Sequence, residues 1–259
     1  MIASAARPKL MPAFPAGSSA IVTSRLASHD LLDELQGITG YYFAQPTEHY
    51  VGMAPDAYRM LVADAQDELN RRQMARRLAA DRRAELEAVL GTDEILIQTN
   101  LYLRATRPKS TSDQEHIGWH RESFYGPDMD ASVNLWVPIR NVSVDNAVRY
   151  VPDSHLIADA AIQTVQEDSA DVARFSAGHR IGLLYAPKRI VGGVELAVHR
   201  PLVVTPGEAA IFSGALIHGA AANHSNQIRF SVDFRAIAEC NLATDKHHFT
   251  SGKSYFEKL

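Results

Sequence analysis

The chain has 259 residues, of which 46% are hydrophobic and 22% are charged, a composition typical of an ordinary globular protein. A formal net charge of -4 gives no electrostatic reason to expect nucleic acid or an anionic membrane as a partner. The single cysteine, Cys240, excludes an internal disulfide framework and a cysteine-based zinc site, and it fits a reducing, cytoplasmic setting. Residues 1–17 contain no long apolar run, and we find neither a signal peptide nor a transmembrane segment.

The first third of the chain carries helical signals. Residues 1–25 are expected to form an irregular arm or an edge segment. A short helix is predicted over residues 29–36, with Ser28 as its cap. The strongest helical region is residues 54–90, which contains no Gly and only one Pro, near its start. Its arginines alternate with acidic residues, which favours a solvated helix face over a basic patch. This long region could support a homodimer.

The sequence pattern becomes typical of β-strands after Gly91. Residues 94–106 alternate with a period of two, which is typical of a strand exposed on one side. Further short strand candidates, separated by turn signals, are residues 132–139, 147–151, 180–185, 200–204, 208–212 and 228–236. The pattern predicts a mainly β jelly roll or barrel with N-terminal and flanking α-helices. We expect one domain over residues 1–259, with residues 1–92 as helical support and residues 93–240 as the jelly-roll core.

Three residues suggest a metal site. His120 and Glu122 lie two positions apart, so on an extended strand both side chains would project to one face. This pair is a weak signal by itself, because it occurs by chance in many chains. A later buried strand leads through a short connection to His218, which supplies a third ligand. Two histidines and one carboxylate on one side of a divalent ion, with the other positions open, are the arrangement of non-haem Fe(II) oxygenases.

A carboxylate anchor is predicted downstream of this set. Arg229 follows His218 by eleven positions, and Ser231 shares its strand face. A guanidinium and a hydroxyl there could bind the distal carboxylate of a 2-oxo acid. The alternative is that Arg229 pairs with a structural Asp or Glu. Taken together with the three metal-ligand candidates, the co-substrate interpretation is favoured.

At this point the sequence resembles the phytanoyl-CoA dioxygenase-like branch of the Fe(II)- and 2-oxoglutarate-dependent dioxygenases, over about residues 95–236. The segments that carry the resemblance are Gly118-Trp119-His120-Arg121-Glu122, Val133 to Ile139, Asn146 to His155, and Pro206 to Arg229. The run from Trp119 to Gly126 is most similar to the StrG-type proteins of streptomycin clusters. The third segment departs from the family's pattern, with Ala147 and Asp153 where that pattern has glycines.

The resemblance implies a double-stranded β-helix (jelly roll, cupin-like) and the cofactors Fe(II) and 2-oxoglutarate. It implies His120, Glu122 and His218 as iron ligands, and Arg229 with Ser231 as the anchor of the 2-oxoglutarate distal carboxylate. Most members carry Asp where this chain has Glu122. A halogenase of this fold has a small residue at that position, so Glu122 argues for oxygen transfer.

Weaker candidates surround this set. Tyr102 and Asn134 are predicted to touch 2-oxoglutarate, the alternative being hydrogen bonds within the barrel wall. His116, Trp119 and Arg121 are predicted to contact substrate, although packing is an equal alternative for Trp119 and Arg121. Residues 157–177 resemble an insertion that could cover the active-site mouth or form a solvent-exposed helix or loop.

We therefore predict a 2-oxoglutarate-dependent non-haem iron dioxygenase. It would use O2 to hydroxylate a small polar molecule, such as a secondary metabolite, a sugar or aminocyclitol, or an amino acid, and would release succinate and CO2. Desaturation, cyclisation or epimerisation would use the same residues. Two different functional classes also stay open, namely a metal-dependent cupin-like enzyme that is not an oxygenase and a catalytically inactive binding jelly roll.

Overall fold

The structure is a computed structural model that describes residues 9–109, 117–126, 128–166, 188–242 and 255–259. The predicted strand at residues 180–185, the candidate His116 and most of the predicted covering segment lie outside these residues. None of the described helices is both long enough and apolar enough to cross a membrane.

Five helices occupy the N-terminal part. They are α1 (His29–Tyr42), α2 (Thr47–Val51), α3 (Pro55–Arg71), α4 (Met74–Asp81) and α5 (Arg83–Leu90). The predicted helical region 54–90 is thus three helices. Gln73 adopts a left-handed conformation, with φ of 55°, between α3 and α4 and ends the continuous helix there.

A large antiparallel sheet forms the centre of the fold. Its strands are β1 (Ile21–Arg25), β2 (Ile95–Gln98), β3 (Tyr102–Thr106), β4 (Ser132–Arg140), β9 (Glu208–Ser213), β11 (Arg229–Ala238) and β12 (Phe256–Lys258). The order is β1-β9-β4-β11-β2-β12, and β3 also pairs with β11. The predicted edge segment therefore contributes a strand, and the predicted strand region 94–106 is two strands separated by a bend.

Two smaller sheets lie beside the large one. One contains β5 (Arg149–Tyr150), β8 (Arg200–Pro201) and β10 (His218–Gly219), in the order β10-β5-β8. The other is a hairpin of β6 (Gln163–Gln166) and β7 (Lys188–Gly192). The antiparallel, mainly β architecture confirms the jelly-roll prediction.

The two faces of the large sheet differ in chemistry. Phe230, Val232 and Phe234 on β11 are buried in one apolar core with residues of α1, α3, α4 and α5. Because successive side chains of a strand alternate between faces, the residues between them lie on the opposite, inner face. These inner residues are Arg229, Ser231, Asp233 and Arg235. The helices thus support the sheet from outside and leave a polar inner face for a site.

Candidate metal centre

The fold brings the three predicted ligands together. One ligand atom from each of His120, Glu122 and His218 lies within 4.8 Å of the others, and all three residues are buried. His120 and His218 form an isolated antiparallel bridge in which each backbone N–H donates to the other's carbonyl at 2.9 Å. Their rings lie 4.3 Å apart, centroid to centroid. This pairing fixes the distance between two ligands that are far apart in sequence.

The local structure around Glu122 differs from the prediction. A continuous strand carrying both His120 and Glu122 is wrong, since Glu122 begins a short 3₁₀ turn, Glu122–Phe124. Arg121 between them is extended, with φ of -135° and ψ of 160°, and this keeps the two side chains on one side. The Glu122 backbone N–H donates to the Gly214 carbonyl at 2.7 Å, which holds the start of the turn.

Gly214 can lie close to Met129 and Ser132 because it has no side chain. A Cβ there would lie 2.6 Å from both the Met129 carbonyl oxygen and Ser132 Oγ, closer than packed atoms allow. Gly214 also donates its N–H to the Ser132 carbonyl at 2.8 Å. The glycine thus lets the connection before β10 pack directly against Met129 and Ser132 while its carbonyl accepts the Glu122 N–H.

Both histidines present a nitrogen suited to a metal. His120 Nδ1 lies 2.8 Å from the Gly118 carbonyl, and His218 Nδ1 lies 2.9 Å from the Leu216 carbonyl. A carbonyl only accepts, so each Nδ1 carries the proton and each Nε2 keeps a free lone pair. Burial, together with the neighbouring His218, lowers the pKa of His120 to about 3. Burial also lowers the pKa of His218, so both imidazoles are neutral near pH 7.

Glu122 supplies the negative charge. Its Oε1 lies 3.7 Å from His218 Nε2, while its Oε2 accepts a hydrogen bond from Arg235 Nε. Burial alone would raise the pKa of Glu122, but the charge and hydrogen bond of Arg235 hold it below its ordinary value. A carboxylate beside two neutral imidazoles is a donor set that fits a divalent metal ion.

Arg229 is a buried cation without a carboxylate partner among the described residues. Its Nη2 donates to Thr106 Oγ1 at 2.7 Å, whereas its Nε and Nη1 have no hydrogen-bond partner there. Burial and the neighbouring Arg104 lower the pKa of Arg229 to about 10. Asp233, the acid on the same strand face, instead binds Arg104 through contacts of 2.6 and 3.0 Å. The alternative of a structural ion pair for Arg229 therefore finds no support in the described residues.

Further buried donors lie on the same inner face. Ser231 Oγ, Asn134 Nδ2 and Trp136 Nε1 have no hydrogen-bond partner in the described part of the chain. In the β4–β11 pairing Asn134 and Trp136 lie opposite Arg235 and Asp233, so their side chains share the inner face. Buried donors are normally satisfied, and a group of unsatisfied ones fits an oxygen-rich ligand such as 2-oxoglutarate. Trp136 was not predicted, although its alternation with Asn134 indicated the face.

The weaker candidates have different surroundings. Tyr102 lies opposite Asp233 on the inner face, beside Arg104. Trp119 is partly buried, with its ring 5.3 Å from that of His199. The guanidinium of Arg121 is buried and donates to the carbonyls of Ser154 and Ile157 and to the Asp159 carboxylate. This favours the packing alternative for Arg121 over contact with substrate.

Two neutral imidazoles and a carboxylate on one side of a metal position are typical of non-haem iron oxygenases. Sequence comparison gives the same class. The family model of phytanoyl-CoA dioxygenase (PhyH) matches residues 22–231, and the chain belongs to this family. It is a 2-oxoglutarate-dependent non-haem iron oxygenase with iron and 2-oxoglutarate as cofactors. No curated protein sequence matches it significantly.

Solved structures share the fold at low sequence identity. EvdO2 from Micromonospora carbonacea var. aurantiaca is 13% identical, with a TM-score of 0.56 over 89% of this chain and 94% of that one. Its complex with 2-oxoglutarate is 14% identical, with a TM-score of 0.55 over the same shares. The epimerase SnoN, in complex with Fe3+, alpha ketoglutarate and nogalamycin RO, is 15% identical, with a TM-score of 0.50 over 92% and 89%. These similarities support the jelly-roll architecture.

Proposed function

We propose that the protein oxidises a small polar molecule with O2 and 2-oxoglutarate, and that hydroxylation is the outcome. In this proposal His120, Glu122 and His218 hold the iron. Arg229 and Ser231 bind the distal carboxylate of 2-oxoglutarate. The observation that carries the proposal is the buried guanidinium of Arg229, which has no carboxylate partner among the described residues and lies on the sheet face that also bears Arg235, the partner of Glu122.

In this proposal some residues bind the metal and others orient the co-substrate. The two Nε2 atoms and one Glu122 oxygen would occupy one side of the metal and leave the other side to the ligands. When bound, iron with 2-oxoglutarate supplies the oxidising power for cleaving a C–H bond. Arg229 would fix the far end of the co-substrate through its Nε and Nη1, which have no hydrogen-bond partner within the described part of the chain. The protein would therefore position the metal and the co-substrate on a buried, charged surface.

Support for a polar ligand set comes from the inner face. Asn134 Nδ2 and Ser231 Oγ remain unsatisfied among the described residues, and Arg104 with Asp233 adds a partly buried ion pair. We assign Asn134 and Tyr102 to the co-substrate side of this face, since β11, which carries Arg229, pairs directly with both of their strands. A substrate with hydroxyl or amine groups suits these surroundings better than a purely apolar one.

The outcome of the reaction is tested by product analysis. One structural neighbour, SnoN, is an epimerase, so the shared fold hosts a reaction other than hydroxylation. Candidate substrates should be screened for succinate release, and the products weighed by mass spectrometry. Hydroxylation adds one oxygen atom, desaturation and cyclisation remove two hydrogens, and epimerisation leaves the mass unchanged. A mass gain of one oxygen supports the proposal, and the other two results replace hydroxylation.

The metal and co-substrate assignments are tested by anaerobic addition of Fe(II) and 2-oxoglutarate. Chelation by the co-substrate should give a weak visible charge-transfer band with the wild type. His218→Ala should abolish the band, and Arg229→Ala should raise the 2-oxoglutarate concentration needed to form it. His224→Ala is a matched control, since His224 is exposed. A wild type without the band, or a band that survives unchanged in both variants, would refute the assignments.

A further inference from the structure

Arg235 contacts Glu122 directly and is itself held from several sides. Its Nε donates to Glu122 Oε2. Its Nη1 donates to the Tyr255 hydroxyl at 2.8 Å and lies 3.4 Å from Gln98 Oε1. Its guanidinium carbon lies 5.1 Å from the centre of the Tyr125 ring. The guanidinium therefore has little freedom to turn away from the carboxylate.

This contact distinguishes the two oxygens of Glu122. Oε2 is occupied by Arg235, whereas Oε1 faces His218 Nε2 at 3.7 Å. A glutamate has one more rotatable bond than an aspartate, so an unrestrained carboxylate could swing and bind a metal through both oxygens. Binding through both would occupy a position that the co-substrate or O2 needs. A fixed guanidinium on one oxygen removes that freedom.

We propose that Arg235 is a positioning residue that holds Glu122 so that a single oxygen, Oε1, binds the metal. The inference rests on the metal site proposed above. It also accounts for the glutamate where most family members carry aspartate. An aspartate would end about 1.5 Å short, the length of one C–C bond, and could not reach both Arg235 and the metal position. The length of Glu122 and the placement of Arg235 thus belong together.

The last strand of the fold takes part in this arrangement. Tyr255 immediately precedes β12, which pairs with β2 so that Phe256 lies opposite Gln98. The Tyr255 carbonyl accepts the Thr99 backbone N–H at 3.0 Å, which holds the backbone of Tyr255 against the end of β2. Tyr255 and Gln98 hold Arg235 from one side while Glu122 meets it from the other. The pairing of β12 with β2 therefore supports the metal site without contributing a ligand.

Cobalt(II) titration tests the proposal, because visible absorption reports both affinity and coordination number. We expect Arg235→Met to weaken Co(II) binding tenfold to a hundredfold, as loss of a residue that orients a ligand does. It should also lower the band intensity, since a bidentate carboxylate raises the coordination number. Tyr255→Phe should weaken binding several-fold, while Lys258→Ala, at an exposed side chain of β12, should match the wild type. Wild-type affinity and spectrum in Arg235→Met would overturn the proposal.

Two further variants separate positioning from charge alone. Arg235→Lys keeps the charge but loses the planar fork, so it should fail to restore the wild-type spectrum. Glu122→Asp should weaken Co(II) binding, and adding Arg235→Met to it should weaken binding little further, because the contact is already lost. Fully additive effects, or complete rescue by lysine, would refute the positioning role.

The controls distinguish failure of this proposal from failure of the metal site. If the wild type binds no Co(II), the proposed metal site is wrong. If His218→Ala abolishes binding while Arg235→Met leaves it intact, the metal site stands and the positioning role fails. Thermal unfolding of each metal-free variant checks folding, and Tyr255→Phe, which removes one hydroxyl, decides the question if Arg235→Met does not fold.

Discussion

Arg229→Met should make the metal-free protein more stable while it impairs co-substrate binding. Burial and the neighbouring Arg104 lower the pKa of Arg229 from its ordinary value to about 10, which corresponds to roughly 3 kcal/mol against the charged form at about 1.4 kcal/mol per pH unit. The substitution also removes the hydrogen bond to Thr106, which contributes about 1 kcal/mol. We expect a net gain of about 2 kcal/mol in the free energy of unfolding, since methionine fills a similar volume without a charge.

The same substitution should weaken 2-oxoglutarate binding at least about thirtyfold, because a charge-assisted hydrogen bond contributes about 2 kcal/mol or more. Urea denaturation of the metal-free protein measures the first effect, and an anaerobic 2-oxoglutarate titration of the Co(II)-loaded protein measures the second. Arg25→Met, at an exposed position on β1, is the control for both. A destabilised Arg229→Met protein with unchanged 2-oxoglutarate affinity would refute the view that this arginine is kept for a ligand.

Three further outcomes are expected. The metal-free protein should lose stability as the pH falls below about 6.5, by up to about 1.4 kcal/mol per pH unit for each buried imidazole. The reason is that the unfolded chain binds the proton, whereas folded His120, with a pKa of about 3, does not. His120→Gln should flatten this dependence in urea denaturation at pH 5 to 7, and an unchanged slope would contradict the assignment. Gly214→Ala should cost about 1–3 kcal/mol and weaken Co(II) binding, since its Cβ would collide with Met129 and Ser132 and shift the Gly214 carbonyl that accepts the Glu122 N–H. Wild-type behaviour would show that the collision is easily relieved. Arg121→Met should speed amide hydrogen exchange over residues 154–161, because it removes the donor to two carbonyls and to Asp159; unchanged exchange would show that other contacts hold the segment.

The sequence predicted the parts of the site that follow from local periodicity. Alternation along β11 placed Arg229 and Ser231 on one face, and the structure has them there. The composition of residues 208–212 predicted the buried strand that leads towards His218, and β9 extends only one residue beyond it. These features depend on neighbours in sequence, so a pattern is sufficient to find them.

Features that depend on strand register or on backbone hydrogen bonds to distant residues were not predictable in this way. The turn at Glu122 is held by Gly214, and the contact of Arg235 with Tyr255 requires β12 to pair with β2. Neither pairing leaves a periodic signal in the chain. The break between α3 and α4 at Gln73 also could not be predicted from the sequence, because glutamine does not favour a left-handed backbone conformation.

The strand β11 serves the apolar core with one face and the proposed site with the other. A deletion or insertion of one residue within it would exchange the faces, so that Phe230 and Phe234 would point into the site and the arginines into the core. An insertion or deletion of one residue in β11 would therefore disrupt the apolar core and the proposed site at the same time, so stability and function would be lost together. Engineering of new specificity in this protein should accordingly substitute inner-face residues of β11 one for one, and confine length changes to the connections between strands.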